Sequence, residues 1–522
     1  MDLVIRNGMV VDGSGRPGVR ADVAIEQGKI RAIGDLARVG AREVVEATGM
    51  VVAPGFIDIL NHSDSYLTLL RSPMSESMLA QGVTTVVVGN CGASLAPFPH
   101  GKLIAVVQKW GEVHNLNVDW ERFGEFLDLV EKLKPGVNVA SLVGHATLRR
   151  AILEDDPRSP TDEELRKMRF LLEEALSEGA FGLSFAPAYA HARVAPEWEI
   201  EELLKPIKEK GRYLAMHLRH EDDRIMVSLE EAIAFAKRSG VRLEISHFKV
   251  IGGASQHLFP QLLERVHDAA KEIDLHFDIY PYEYMSAILY TLLPEWAQEG
   301  GLAKMIERAK HAPTRDKILK EMEPHALQWA DARVLAARRD RTFIGKTLGG
   351  LASIAGISIA EAALGLFIAN DGRVIVLRKA LSADNLSRAL ADPRAVIGSA
   401  GAGYNARPSP SPEQAHPRSF GTFPKVLGEF VRDKRVSGLE VAIAKMTKMP
   451  AEKIGLTDRG ELKEGMVADI VVFDPAHIRD LATFENPWQP SEGIHGVIVN
   501  GVVSWDHSGL TGSRSGKVLR AS

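Results

Sequence analysis

Residues 211–249 read GRYLAMHLRHEDDRIMVSLEEAIAFAKRSGVRLEISHFK, and the fold is decided here. RYLAMH (212–217) is a short apolar run that ends in a histidine. LEEAIAFAKRSG then repeats its apolar residues with a period near 3.6, the pattern of an amphipathic helix. RLEISH (242–247) is a second apolar run and also ends in a histidine. Strand, helix and strand in this order imply parallel strands joined by a crossover helix.

The unit repeats in both directions. GFIDIL (55–60), TTVVVG (84–89), NVASLVG (138–144) and FGLSF (181–185) precede it, and LHFDIY (275–280), RVIVLR (373–378) and AVIGS (395–399) follow. Helical stretches such as TDEELRKMRFLLEEALSEG fill the gaps. Nine candidates are one more than an eight-stranded barrel holds, so 373–378 is expected outside it. The expected fold is α/β, a (β/α)8 TIM-like barrel over 55–449, preferred to an open sheet. Both ends are strand-rich: LVIRNGMVVD and ADVAIEQGKIRAIG at the start, ADIVVFD (468–474) and GVIVNGVVSW (496–505) at the finish. They predict one small β domain made of 1–54 and 450–522. Residues from about 283 to 345 are long for a barrel connection and read as an inserted lid-like segment, with a solvated surface excursion as the alternative. SPSPEQ (409–414) reads as a short loop.

Composition narrows the function. Lys plus Arg is 63 against 68 Asp plus Glu, a net charge of −5, which argues against a nucleic-acid grip or a polybasic membrane surface. A single cysteine excludes an intramolecular disulfide framework and a zinc ribbon. No apolar run is long enough for a membrane span, and the first residues lack the pattern of a signal peptide, so a cytoplasmic protein is expected.

Metal-capable residues stand just after several strands: His62, Cys91, His217 and His247. In an α/β barrel these positions converge at the carboxyl-terminal mouth. One thiolate and two imidazoles, Cys91, His217 and His247, make a three-ligand zinc set that leaves a fourth position for water. His220 is a competitor of His217 that need not share its direction. His145, in SLVGHATLR, is a further site candidate, while His100, His257 and His507 read as loop or solvent residues.

With these motifs in place the sequence resembles the N-acyl-D-amino-acid deacylases (D-aminoacylases) of the amidohydrolase superfamily. The resemblance runs nearly end to end, through VIRNGMVVDGSG, APGFIDILNHSD, QGVTTVVVGNCG, MHLRHE, SHFK, DIYPYEY, HPRSFGTFPKVLGEFVRD and DRGELKEGMVADIVVFDP. It implies a metal-bearing barrel with a small β domain. Its implied activity is zinc-dependent hydrolysis of a small-molecule N-acyl-D-amino acid to a carboxylate and a free D-amino acid. It implies that Cys91, His217 and His247 hold one Zn2+. It further implies that Lys249, Tyr280, Ser286 and Arg418 bind the substrate's α-carboxylate.

Two positions depart from the family pattern. Where the superfamily's first strand ends in a His-x-His pair, this chain has Leu60 and His62, so a second metal is not expected and His62 is left as a weak ligand, substrate contact or hydrogen-bond partner. Asp64 is a candidate helper of a weak second cation. Where the family carries a general-base Asp after the last barrel strand, this chain reads IGSAGAG with Ala400. A methyl group moves no proton, so the chain is expected to be severely impaired. Either an introduced exchange or a natural loss accounts for Ala400, and the otherwise intact motif set favours the former. The competing functions are hydrolysis of a cyclic amide or dipeptide by a related amidohydrolase, and non-catalytic binding of acylated amino acids.

Overall fold

The computed structural model describes residues 1–98, 119–154, 156–405 and 415–522. His100 and SPSPEQ lie outside them. Eight short strands form the barrel: β1 (Phe56–Asp58), β2 (Val83–Val88), β3 (Asn138–Ser141, continued by Val143–Gly144), β4 (Gly182–Phe185), β5 (Tyr213–Met216), β6 (Arg242–Ile245), β7 (Leu275–Ile279) and β8 (Ala395–Ile397). The ladders β1–β2–β3 and β3–β4–β5–β6–β7–β8 are parallel throughout. The barrel closes just beyond β1 and β8, where Ala400 N–H donates to Leu60 O at 2.8 Å and His62 N–H donates to Gly401 O at 2.7 Å. The strands are buried on both faces, which is why they read as near-continuous apolar runs.

The crossover helices start and stop where the chain chemistry says they should. Thr161 and Glu164 form a capping box for Asp162–Ser177, each satisfying a backbone N–H of the other. Ile225–Ser239 ends on Gly240, whose φ of +68° a side chain would disfavour.

The two chain ends meet in one nine-stranded sheet, joined where Val51–Pro54 pairs antiparallel with Ile470–Phe473. Ile5, Val23, Ile25, Val52, Ile470 and Ile498 pack inside it. The final residues leave this sheet: Leu519 N–H donates to Val139 O and Val139 N–H to Lys517 O, so the tail lies along β3. A range of 450–522 for the small domain is therefore too wide, because strand-poor residues at a terminus carry no pattern that tells which neighbour they line.

The insertion is longer than 283–345. Tyr284–Ile288, Arg333–Ala337 and Val374–Lys379 form an antiparallel sheet with the last strand in the middle. Met305, Ile318, Trp329, Val334, Phe367 and Val376 give this unit its own core. RVIVLR thus lies outside the barrel, and it extends the insertion to Lys379, because an apolar strand shows its burial in sequence but not its partner. Among the described residues no single helix is long and apolar enough to cross a membrane.

Candidate active site

The carboxyl ends of the barrel strands and the insertion enclose a cavity of about 610 Å³. Cys91 reaches it from the turn after β2. That turn needs Gly89, at φ +79°, since a Cβ there would lie 2.1 Å from Leu142 O. Cys91, His247 and Ala400 themselves have φ of +52°, +39° and +47°. Left-handed backbone at three non-glycine strand ends is uncommon and clusters at functional sites.

Cys91, His217 and His247 come together so that one ligand atom from each lies within 4.8 Å of the others. Cys91 Sγ is 3.6 Å from His247 Nε2, and the two imidazoles meet edge to face at 4.3 Å between centroids. His217 Nδ1 is buried without a hydrogen-bond partner. One sulfur and two imidazole nitrogens at this spacing, facing a cavity, fit a tetrahedral ion with an open position. Burial raises the Cys91 thiol well above its ordinary range, with nearby Asp278 adding to it. Burial lowers both histidines, so they are neutral and ready to ligate.

His62 also lines the cavity; burial, then Arg418 and His247, push it down to about 3. Leu60 is buried and offers only its carbonyl, to Ala400. Asp64 does not line the cavity. Its Oδ2 accepts the Gly89 N–H at 2.8 Å, which ties down the turn that carries Cys91. Ala400 lines the cavity at the end of β8.

Lys249, Tyr280, Ser286 and Arg418 all reach the same cavity. Arg418 lies over the Tyr280 ring at 4.9 Å, and its Nε and the Ser286 Oγ are buried without partners. His220 lines the wall but stands outside the ligand triangle, 3.8 Å from Glu295. His257 is exposed and bonds Ala254 O, and His507 is exposed near the terminal sheet.

His145 does not line the cavity. Its Nε2 is 2.8 Å from Glu199 Oε1, Arg149 binds the other carboxylate oxygen, and its ring packs on Phe185. All three ionisable side chains of this cluster are fully buried. A strand-end histidine looks the same in sequence whether it faces the mouth or a helix. Glu199→Ala would leave the Arg149 charge buried and unpaired, and should cost about 3–5 kcal/mol. Urea unfolding of the parent and the variant measures that cost. Unchanged midpoints would contradict it.

Glu221 and Arg378 are among the cavity residues that escape the sequence reading. Glu221 stands four residues after His217 in MHLRHE and contacts His247 and Lys249 at 3.1 and 2.5 Å. Burial raises its carboxyl, but Lys249, His217 and His247 outweigh that and hold it below the ordinary range. The i, i+4 spacing was a usable signal. Arg378, on the insertion's central strand, also lines the cavity, and its Nε is buried without a partner. Burial lowers its pKa. An arginine in a strand outside the barrel gave no signal.

Comparison with known proteins gives the same picture. The amidohydrolase family model matches residues 43–217 and 409–504. The chain is 36% identical to the D-aminoacylase of Alcaligenes xylosoxydans xylosoxydans, over 99% of this chain and 97% of that one. It is 34% identical to an N-acyl-D-glutamate deacylase of the same organism, over 100% and 96%. The crystal structure of the N-acyl-D-glutamate deacylase from Bordetella bronchiseptica, complexed with zinc and a phosphonate mimic of the tetrahedral intermediate, superposes with a TM-score of 0.86 at 33% identity, covering 100% of both chains.

Proposed function

Because the chain belongs to the amidohydrolase family, we propose that its cavity serves zinc-dependent hydrolysis of N-acyl-D-amino acids to a carboxylate and a free D-amino acid. The observation that carries the reading is one cavity holding a sulfur–nitrogen ligand triangle beside cationic and hydroxyl groups with unsatisfied donors.

Cys91, His217 and His247 would hold the ion. When bound, it supplies Lewis acidity toward the scissile carbonyl and lowers the pKa of a water. The α-carboxylate of the substrate is held by Lys249, Tyr280, Ser286, Arg418 and the newly located Arg378. A carboxylate there would satisfy the Ser286 hydroxyl and both guanidinium Nε donors, which otherwise stay buried and unpaired. The rest of the substrate meets an apolar wall from the insertion that includes Ile288, Leu292, Trp296, Met322 and Trp329. His62, neutral and partly buried, faces the same space as a hydrogen-bonding wall. Position 400 is where a proton would pass from water to the leaving amine, and its methyl group leaves that step without a carrier.

The reading is tested by release of free amino acid from N-acetyl-D- and N-acetyl-L-methionine, by the parent chain and by Ala400→Asp, with metal content measured in each. Turnover of cyclic amides in place of the D substrate would overturn it. In the Ala400→Asp background, Arg378→Met should raise KM for N-acetyl-D-methionine by about 10- to 100-fold, the loss of a charge-assisted contact, with little change in kcat. An unchanged KM would remove Arg378 from the carboxylate site. The vacancy at 400 favours one second reading, a binder without turnover. That reading requires tight ligand binding and no hydrolysis even in Ala400→Asp.

A further inference from the structure

One buried carboxylate, that of Glu221, bridges the ligand triangle and the carboxylate-binding groups. Glu221 Oε1 lies 3.1 Å from His247 Nδ1 and 2.5 Å from Lys249 Nζ, while Oε2 lies 3.9 Å from His217 Nε2. Lys249 Nζ is also 2.9 Å from His247 Nδ1. An ammonium has only donors. His247 Nε2 is the nitrogen aimed at Cys91 Sγ, at 3.6 Å. A histidine that ligates through Nε2 carries its proton on Nδ1, and Lys249 cannot accept it. The carboxylate acceptor within reach is Glu221 Oε1.

We propose that Glu221 is a positioning residue that accepts the Nδ1–H of His247, fixing Nε2 toward the metal, and at the same time offsets the Lys249 charge beside that ligand. The inference rests on the reading of Cys91, His217 and His247 as the metal ligands. Carboxylate partners of ligating histidines fix the tautomer and ring orientation, and losing one typically weakens metal binding about 10- to 100-fold. Here the same carboxylate also offsets the charge of a buried ammonium that lies 2.9 Å from Nδ1 of the ligating imidazole.

The test is zinc affinity, measured by competition with a chromophoric chelator, for the full chain and for Glu221→Ala and Glu221→Gln. Melting of each metal-free protein serves as the folding control. Glu221→Ala should bind zinc about 10- to 100-fold more weakly than the parent. Glu221→Gln, whose amide oxygen can accept the same proton but whose neutral side chain leaves the Lys249 charge uncompensated, should recover only part of that loss. In ¹⁵N-labelled zinc-loaded parent protein, a protonated His247 Nδ1 resonance should be visible and should shift in Glu221→Gln, a signature available even if the alanine variant does not fold. Equal zinc affinity in parent and Glu221→Ala, or a glutamine variant as weak as the alanine one, overturns the role of Glu221. A parent that binds no zinc overturns the ligand set itself.

Discussion

Ala400→Asp should raise kcat on N-acetyl-D-methionine by about 10²–10⁴, the usual contribution of a positioned general acid–base. The exchange suits the backbone. Position 400 has φ +47°, where aspartate is several-fold more at home than alanine, and its N–H is already anchored to Leu60 O at 2.8 Å. The side chain would enter a cavity whose lining includes Lys249 and Arg418, so a new carboxylate shares its space with cations. Ala400→Asn is the control. It shares the backbone preference and the size but cannot take a proton from water and return it to the leaving amine, and it should stay near the parent rate. The gain should be confined to the D substrate and should vanish when zinc is removed by a chelator. Steady-state assays of the three proteins on both enantiomers decide the matter. A zinc-loaded Ala400→Asp that is silent on the D substrate, or equally fast on the L substrate, would remove the deacylase reading.

The pattern of what could be read in advance follows from the physics of each signal. Parallel strands buried on both faces leave apolar runs such as TTVVVG and RLEISH, and the turns after them deliver Cys91, His217 and His247 to one point. That logic needs only strand direction, which the crossover helices supply. Partner choice is different. RVIVLR has the composition of a barrel strand but pairs antiparallel with Tyr284–Ile288 and Arg333–Ala337, so Arg378 arrives at the cavity from outside the barrel. His145 shows the converse failure: it follows a barrel strand like the ligands, yet it opens a helix and turns to Glu199. Glu221 was legible in principle, since four residues separate it from His217. The left-handed backbone at Cys91, His247 and Ala400 has no marker in residue type, because it is imposed by the converging strand ends.

Cys91→Ala, made in the Ala400→Asp background, should weaken zinc binding by more than about 100-fold, exceeding the loss expected from an outer hydrogen-bond partner. Hydrolysis should then fall to the level of the chelator-treated protein. The fold should survive, since alanine is smaller than cysteine and both pay similarly for φ +52°. The thiol also predicts how binding varies with pH. Burial keeps it protonated in the metal-free protein well above the ordinary thiol range, whereas burial keeps both histidines neutral. Loading zinc therefore expels one proton, from the sulfur, and affinity should rise about tenfold per pH unit through neutrality. Cys91→Ala removes that proton, so its residual affinity should be flat over the same interval. Chelator competition at several pH values, with proton release followed in weak buffer, measures both slopes. A parent affinity that does not change with pH, or a variant that keeps the parent's zinc and activity, would show that the sulfur is not a ligand.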